Sequence, residues 1–242
     1  MAEGYVDLHL HYLPGVDDGV REVSQGIALC QGLKRLGYTK TVATPHIRTA
    51  MFDNQRATLE PVFEAFVALA RDAEDMPELG LAAEHFCDDV FWRLFEEGQT
   101  IAYPGGYAAL IEFPEATIPL GIEQRFFEMR VRGVAPVLAH PERYRPLFGN
   151  SKALEAMLDA GLILQLDLMS LVGRYGRRPR KAAERLLGES AYFLACSDSH
   201  RPEDVPKVAE ALERLFDLAG DDYAQRLLSD NPRRILSGEL DL

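Results

Sequence analysis

Seven short apolar stretches, each followed by a helical pattern, constrain this chain more than any other feature. They fall at 5–11, 41–44, 81–84, 108–113, 135–140, 162–168 and 192–198. Helical stripes run between them, such as Leu59, Val62, Phe63, Phe66 and Leu69 within a helix expected over 54–74. Gly37, Gly133 and Gly161 supply stops, while Ser24 is expected to cap the first helix and Asn231, followed by Pro232, the last. Parallel strands need crossover connections, and helices are the usual ones. Seven such repeats in 242 residues favour a closed α/β barrel over an open sheet. No composition break or Ser/Gly-rich linker divides 1–242, so a single domain is expected.

In a barrel of this class the carboxyl ends of the strands share one face, and active sites are built there. The polar residues fall at those ends. The first strand ends at His9 and His11, the second at His46, the third at Glu84, the fourth at Glu112, the fifth at His140, and the seventh at Asp198 and His200. Asp18 follows the first strand in the turn 14–19. Of six histidines, five occupy such positions, and chance placement accounts poorly for them together with four carboxylates. Taken singly, the H-x-H of the first strand reads better as a half-buried edge strand with surface histidines than as a metal site. Period-two alternation there would put Asp7, His9 and His11 on one face, with Asp7 orienting a histidine rather than binding metal.

Nine imidazole and carboxylate donors exceed what one ion takes and suit two or three divalent ions, manganese, iron or zinc by donor type. Clustered divalent ions with open positions lower the pKa of a water and clamp phosphate oxygens, which suits phosphoryl hydrolysis. A net charge of −12 disfavours nucleic acid as a partner. No stretch is apolar enough to span a membrane, and no signal-peptide region opens the sequence. Cys30, Cys87 and Cys196 are an odd number at unrelated spacings, which argues against a disulfide framework and for a reducing cytoplasm.

The motifs D-L-H-L-H at 7–11, T-P-H at 44–46, I-E-F at 111–113, A-H-P-E-R at 139–143 and S-D-S-H at 197–200 resemble the polymerase and histidinol phosphatase (PHP) superfamily. The turn P-G-V-D-D-G and the run L-Q-L-D-L-M-S-L-V-G-R-Y-G are similar to its branch of bacterial tyrosine-protein phosphatases of capsular and extracellular polysaccharide synthesis. The resemblance implies a distorted seven-stranded barrel with a trinuclear, usually manganese-supported site. It implies one ion on His9, His11, Glu112 and Asp198. A second would sit on Glu112 and His140, possibly with Glu84, and a third on Asp18, His46, Glu84 and His200. Arg143 would bind the substrate phosphate, its planar fork of donors matching the anion. The implied chemistry is direct hydrolysis by metal-activated water with no phosphoenzyme. Proton handling falls to Asp198 or a nearby histidine such as His200, and the sequence does not choose between them. The implied substrate is a phosphotyrosine protein, in particular the C-terminal tail of a tyrosine autokinase.

Two departures stand out. Several relatives carry a second phosphate-binding arginine where this chain has Val205; Arg201 or Lys207 lie nearby, and Arg201 is the expected substitute. His85 follows Glu84 and is read as structural or as a support for a ligand. Cys87 and Arg93 share the spacing of a thiolate phosphatase, but the intervening segment has no glycine and carries Asp88 and Asp89, which oppose both thiolate and phosphate. Arg174, Arg177, Arg178, Arg180, Lys181 and Arg185 form a basic stretch on the ligand side, read either as a dock for a phosphorylated tail or as a solvated helix face. The alternative functions are a phosphatase of a small phosphomonoester such as histidinol phosphate, and a metal-bound regulatory domain without turnover. Oligomeric state is not legible from these features.

Overall fold

The computed structural model describes residues 4–149 and 151–240. Its wall is built of nine strand segments: β1 (Tyr5–Leu10), β2 (Tyr38–Ala43), β3 (His46–Ile47), β4 (Glu78–Leu81), β5 (Glu84–Phe86), β6 (Ala108–Glu112), β7 (Ala135–Ala139), β8 (Ile163–Asp167) and β9 (Leu194–Cys196). All pair in parallel, in the orders β1-β2-β4 and β3-β5-β6-β7-β8-β9. The two sheets are halves of one wall. Pro45, which has no N–H to give a ladder, separates β2 from β3, and 82–83 separate β4 from β5. Hydrogen bonds from Ala82 N–H to the Ala43 carbonyl (2.8 Å) and from Glu84 N–H to the Pro45 carbonyl (3.1 Å) stitch across both breaks. The seam closes where Asp198 N–H donates to the His9 carbonyl (3.1 Å) and His11 N–H to that of Ser199 (3.0 Å). Nine segments thus form the seven strands of a distorted, closed α/β barrel.

Each strand hands the chain to a helix: α1 (Val23–Arg35), α2 (Arg56–Ala70), α3 (Asp89–Glu96), α4 (Ile122–Val131), α5 (Ser151–Asp159) and α6 (Arg177–Gly188). After β9 come α7 (Val205–Ala219), α8 (Asp221–Gln225) and α9 (Asn231–Ser237). None is long and apolar enough to cross a membrane. Two caps differ from expectation. The first helix starts at Val23, one residue before Ser24, because Gln25 Oε1 accepts the backbone N–H of Arg21 (2.9 Å) and Glu22 (3.2 Å). Asn231 caps nothing, since α8 runs into α9 through a π-helical stretch at 226–230. Its side-chain amide instead donates to the Phe193 carbonyl at 2.7 Å, tying the terminal helix to the barrel.

Two apolar layers follow from the alternation. Val6, Leu8, Val42, Ala82, Ala108, Leu110, Ala135, Val137, Ala139, Leu194 and Cys196 fill the barrel interior, with Ile235 of α9 packed among them. Leu29, Leu33, Ala109, Ile111, Leu138, Leu164, Leu166, Leu186 and Leu215 belong to the outer layer between wall and helices. Most interior residues are small, as a narrow barrel requires. The polar rim continues these inward rows: Val42 and Thr44 lead to His46, Ala82 to Glu84, Ala108 and Leu110 to Glu112, Leu194 and Cys196 to Asp198.

β1 breaks this phase. Its register against β2 shifts between Asp7 and Leu10, so Leu8 lies in the interior layer and Leu10 in the outer one. The extra residue separates Asp7 from His9 and His11, contrary to the strict alternation expected above. The buried Asp7 carboxylate touches no histidine ring; it accepts backbone N–H from His9 (3.1 Å) and Ser197 (3.2 Å) and pins β1 to β9. Burial pushes its pKa up to about 6.

Close approach of α1 to the end of β1 requires a glycine. A Cβ at Gly26 would lie 2.4 Å from the Tyr12 carbonyl oxygen and 2.7 Å from the Phe66 ring. Gly26→Ala should therefore cost about 1–3 kcal/mol of stability, read as a lowered urea midpoint at unchanged slope. An unchanged midpoint would contradict this packing.

Candidate metal centre

Glu84 is the hub of the rim. Its Oε2 lies 3.1 Å from His9 Nε2, 3.1 Å from His46 Nδ1 and 3.6 Å from His11 Nε2, and its Oε1 3.1 Å from His140 Nε2. Asp198 Oδ1 adds contacts at 3.2 Å to His9 and 3.4 Å to His11. On the outer side Asp18 Oδ1 lies 3.5 Å from His46 Nε2 and 3.4 Å from His200 Nε2, while Glu112 Oε1 is 3.4 Å from His46 Nδ1. All nine expected donors therefore meet on one face. Among these donors Glu84 stands with His9 and His11, and Glu112 with Glu84 and His46. A third group comprises His11, Asp18, His46 and His200.

Two of these residues occupy strained backbone. His140 has φ 37° and Asp198 φ 49°, in the left-handed region that side-chain-bearing residues avoid. At His140 the turn lets a residue that follows inward-facing Ala139 still reach Glu84. Strain at both places coincides with the chemistry.

The histidines are oriented from behind. His11 Nδ1 lies 2.8 Å from Asp17 Oδ2, which directs Nε2 at the centre. Asp17 also accepts the backbone N–H of Gly19 (2.9 Å) and His46 (3.2 Å). His200 Nδ1 donates to the Asp198 carbonyl at 2.9 Å, and His9 Nδ1 sits 2.8 Å from the Gln165 side-chain amide. His11 and His200 stack at 4.0 Å between centroids.

The electrostatics ask for cations. Burial alone would lower the pKa of His46, yet Glu84 and Glu112 overcome it and raise it to about 9. Burial would raise Glu84 and Asp198, but surrounding imidazoles, and Arg143 beside Asp198, hold both well below the carboxylate range. Buried His11 Nε2, His46 Nδ1 and Glu112 Oε1 have no well-aligned hydrogen-bond partner, only oppositely charged neighbours at 3.1–3.6 Å. Unpartnered lone pairs converging from imidazoles and carboxylates are the donor set a divalent ion takes.

Arg143 follows β7 in a short turn (Pro141–Arg143). Its guanidinium donates to Asp198 Oδ2 at 2.9 Å, lies 3.7 Å from Asp167 Oδ2 and covers the Tyr175 ring at 4.5 Å. It does not pair with Glu142, whose carboxylate is buried and accepts from Asp167 N–H (3.0 Å) and Tyr192 Oη–H (2.9 Å). A cavity of about 450 Å³ opens beside the donors, lined by Glu112, His140, Arg143, Arg145, Phe86 and Arg48. Arg48 lies over the Phe86 ring at 4.2 Å. Arg201, expected to help bind substrate, is exposed and lines none of this cavity. Val205 contacts the position a Gly32 side chain would occupy, so it faces α1. A larger cavity, about 570 Å³, is lined by none of the nine donors.

Sequence reasoning passed over Asp17, Gln165, Asp167 and Arg48. The first is half of an Asp-Asp pair. Gln165 and Asp167 end the sixth strand and obey the same strand-end rule as the donors. Arg48 carried no signal, since only the fold turns the loop after β3 into the cavity. His85 is buried against Phe91 with neither ring nitrogen hydrogen-bonded to a side chain, and burial lowers its pKa to about 4, as a structural residue requires. The thiolate alternative fails: the Cys87 thiol is buried, and burial with Asp88 beside it raises its pKa to about 12.

Residues 5–237 match the family model described as capsular polysaccharide synthesis, CpsB/CapC. The chain belongs to the CpsB/CapC family. It is 28% identical over 204 residues to tyrosine-protein phosphatase YwqE of Bacillus subtilis, covering 81% of this chain and 77% of YwqE. It is 26% identical over 245 residues to tyrosine-protein phosphatase CpsB of Streptococcus pneumoniae, covering 97% and 99%. A crystal structure from the pair YwqE and CpsB, described as unique metal-dependent tyrosine phosphatases, superposes with a TM-score of 0.89 at 25% identity over 96% of this chain and 94% of that one.

Glu142 offers a test of how this CpsB/CapC rim is supported. Burial raises its pKa from 4.5 to about 7, so the folded state keeps a proton that the unfolded chain loses. That contribution is present below pH 4.5 and is lost as pH rises through about 7. Between about pH 5.5 and about pH 8 the wild type should lose roughly 2 kcal/mol more unfolding free energy than Glu142→Gln. Parallel urea curves for the two proteins would contradict a neutral Glu142.

Proposed function

We infer that this chain is a metal-dependent tyrosine-protein phosphatase that hydrolyses a phosphorylated tyrosine kinase of capsule or exopolysaccharide synthesis. The observation that carries the reading is the adjacency of two sites: nine imidazole and carboxylate donors on one barrel rim, and a cavity bordered by Arg48 and Arg143 opening beside them. Two or three divalent ions, manganese by the family resemblance and manganese, iron or zinc by donor type, would be held by His9, His11, Asp18, His46, Glu84, Glu112, His140, Asp198 and His200. Bound there, they supply a water of lowered pKa and charge neutralisation for a phosphoryl group.

The remaining work falls to the chain's own side chains. Arg143 is fixed by Asp198 and Tyr175, so its free N–H groups face the cavity without reorganisation on binding. Arg48 supplies the second guanidinium that position 205 does not. Phe86, Phe113 and Tyr144 give the cavity apolar walls suited to a phenolic ring. Proton handling at the attacking or leaving oxygen is assigned to Asp198 or His200; His200 Nδ1 is committed to a carbonyl and its Nε2 lies 3.4 Å from Asp18 Oδ1. Without a nucleophilic thiol in the cavity, no phosphoenzyme is needed.

Hydrolysis of a phosphotyrosine peptide should stop on chelation and return with manganese, while Cys87→Ser stays active. Activity that survives chelation would overturn the reading, and faster hydrolysis of histidinol phosphate would redirect it. His9→Ala should bind fewer manganese ions per chain by elemental analysis. Arg48→Ala and Arg143→Ala should each lower kcat/KM roughly tenfold to a hundredfold, the loss of a charge-assisted hydrogen bond. A silent Arg48→Ala would remove it from the phosphate site.

A further inference from the structure

The basic stretch after β8 is not uniform in the fold. Arg174 pairs with Asp204 at 2.9 Å, Arg180 with Glu184 at 3.1 Å and Arg185 with Glu189 at 2.9 Å. Arg177 and Arg178 form no ion pair among the described residues. They line a second cavity, about 460 Å³, together with Arg143, Arg145 and Tyr175. Arg145 is likewise exposed and unpaired. Glu115 is the one carboxylate on the wall. This cavity shares Arg143, Arg145 and Glu115 with the one beside the metal donors, so the two adjoin along these residues as a trough leading away from the rim.

The placement of Arg177 and Arg178 is unfavourable for folding. They open α6, a 12-residue helix with no acidic residue in its first turn, where the helix dipole already presents positive charge. Two cations at that end oppose the dipole, and no ion pair among the described residues neutralises them. A bound anion would relieve both. In a chain of net charge −12, a run of Arg145, Arg177 and Arg178 free of acidic partners is also the local exception to the overall charge.

We propose that this trough binds the anionic flank of the substrate: side chains bearing carboxylate or a further phosphate, on the same peptide as the phosphotyrosine at the rim. The proposal rests on the phosphatase reading for what occupies the rim. The trough then selects acidic or multiply phosphorylated peptides over neutral ones, and it does so through binding, outside the reacting atoms.

The test uses metal-loaded protein and fluorescent peptides in which phosphonomethyl-phenylalanine, which is not hydrolysed, replaces phosphotyrosine. One peptide is flanked by glutamine, one by glutamate, and one carries a second such residue. Wild type should bind either anionic peptide about five- to tenfold tighter than the glutamine one, as two or three exposed ion pairs provide. Arg177→Glu/Arg178→Glu should abolish that preference while leaving turnover of free phosphotyrosine unchanged. Acidic residues suit a helix N-terminus, so this variant keeps its fold. A gain with the glutamate peptide assigns the site to carboxylates; a gain confined to the doubly substituted peptide assigns it to phosphate. Equal affinity for all three in the wild type, or a preference that survives the charge reversal, overturns the proposal. Preferential binding without any hydrolysis of phosphotyrosine peptides would instead overturn the phosphatase reading alone.

Discussion

A buried carboxylate surrounded by imidazoles holds this structure's chemistry together. Glu84 is 1% exposed, and an isolated ionised carboxylate there would cost several kcal/mol. It is tolerated because four histidines converge on it, two from the end of β1, one from β3 and one from the turn after β7. The same logic applies to Asp198, held between His9 and His11 on one oxygen and Arg143 on the other. Remove the cations, and the rim becomes a cluster of like charges in a low-dielectric wall. The centre is therefore a demand for positive charge that protons meet partly and divalent ions meet better.

Meeting that demand distorts the barrel. A regular seven-stranded wall would present one inward residue per strand end, in phase. Here β1 carries an extra residue so that both histidines face in, and His140 adopts a left-handed turn to reach Glu84. β2 and β4 are also interrupted near the rim, at Thr44–Pro45 and 82–83, just before His46 and Glu84. Asp7 makes the first distortion affordable by accepting N–H groups from β1 and β9, the two strands that close the seam.

Arginine placement connects the centre to its surroundings. Arg143 is the hinge between two cavities, one facing the donors and one facing α6. Its charge is half spent on Asp198, and its orientation is set by Tyr175. Arg48 enters from the opposite side, on a loop held by Arg48 N–H to the Phe52 carbonyl at 3.0 Å. Position 205, where relatives' arginine would stand, is turned toward Gly32 of α1. Arg48 and Arg143 thus bring two guanidinium groups to one cavity from distant parts of the chain.

By itself the sequence determined the repeat of strand and helix, hence the parallel barrel, and it marked the polar strand ends that share a face. Those features are local: period, length and the residue type that closes each apolar run. It also counted against a thiolate mechanism, since Asp88 and Asp89 lie between Cys87 and Arg93. Only the tertiary structure decided which donors neighbour which. Glu84 rather than Glu112 lies with His9 and His11, a neighbourhood set by strands far apart in the chain. Asp7 left the centre because a single extra residue changes the phase of everything after it. Arg48 and the split of the basic stretch into paired and unpaired arginines depend on contacts between segments far apart in the chain. Periodicity reports which face a residue occupies, whereas only packing fixes what stands opposite.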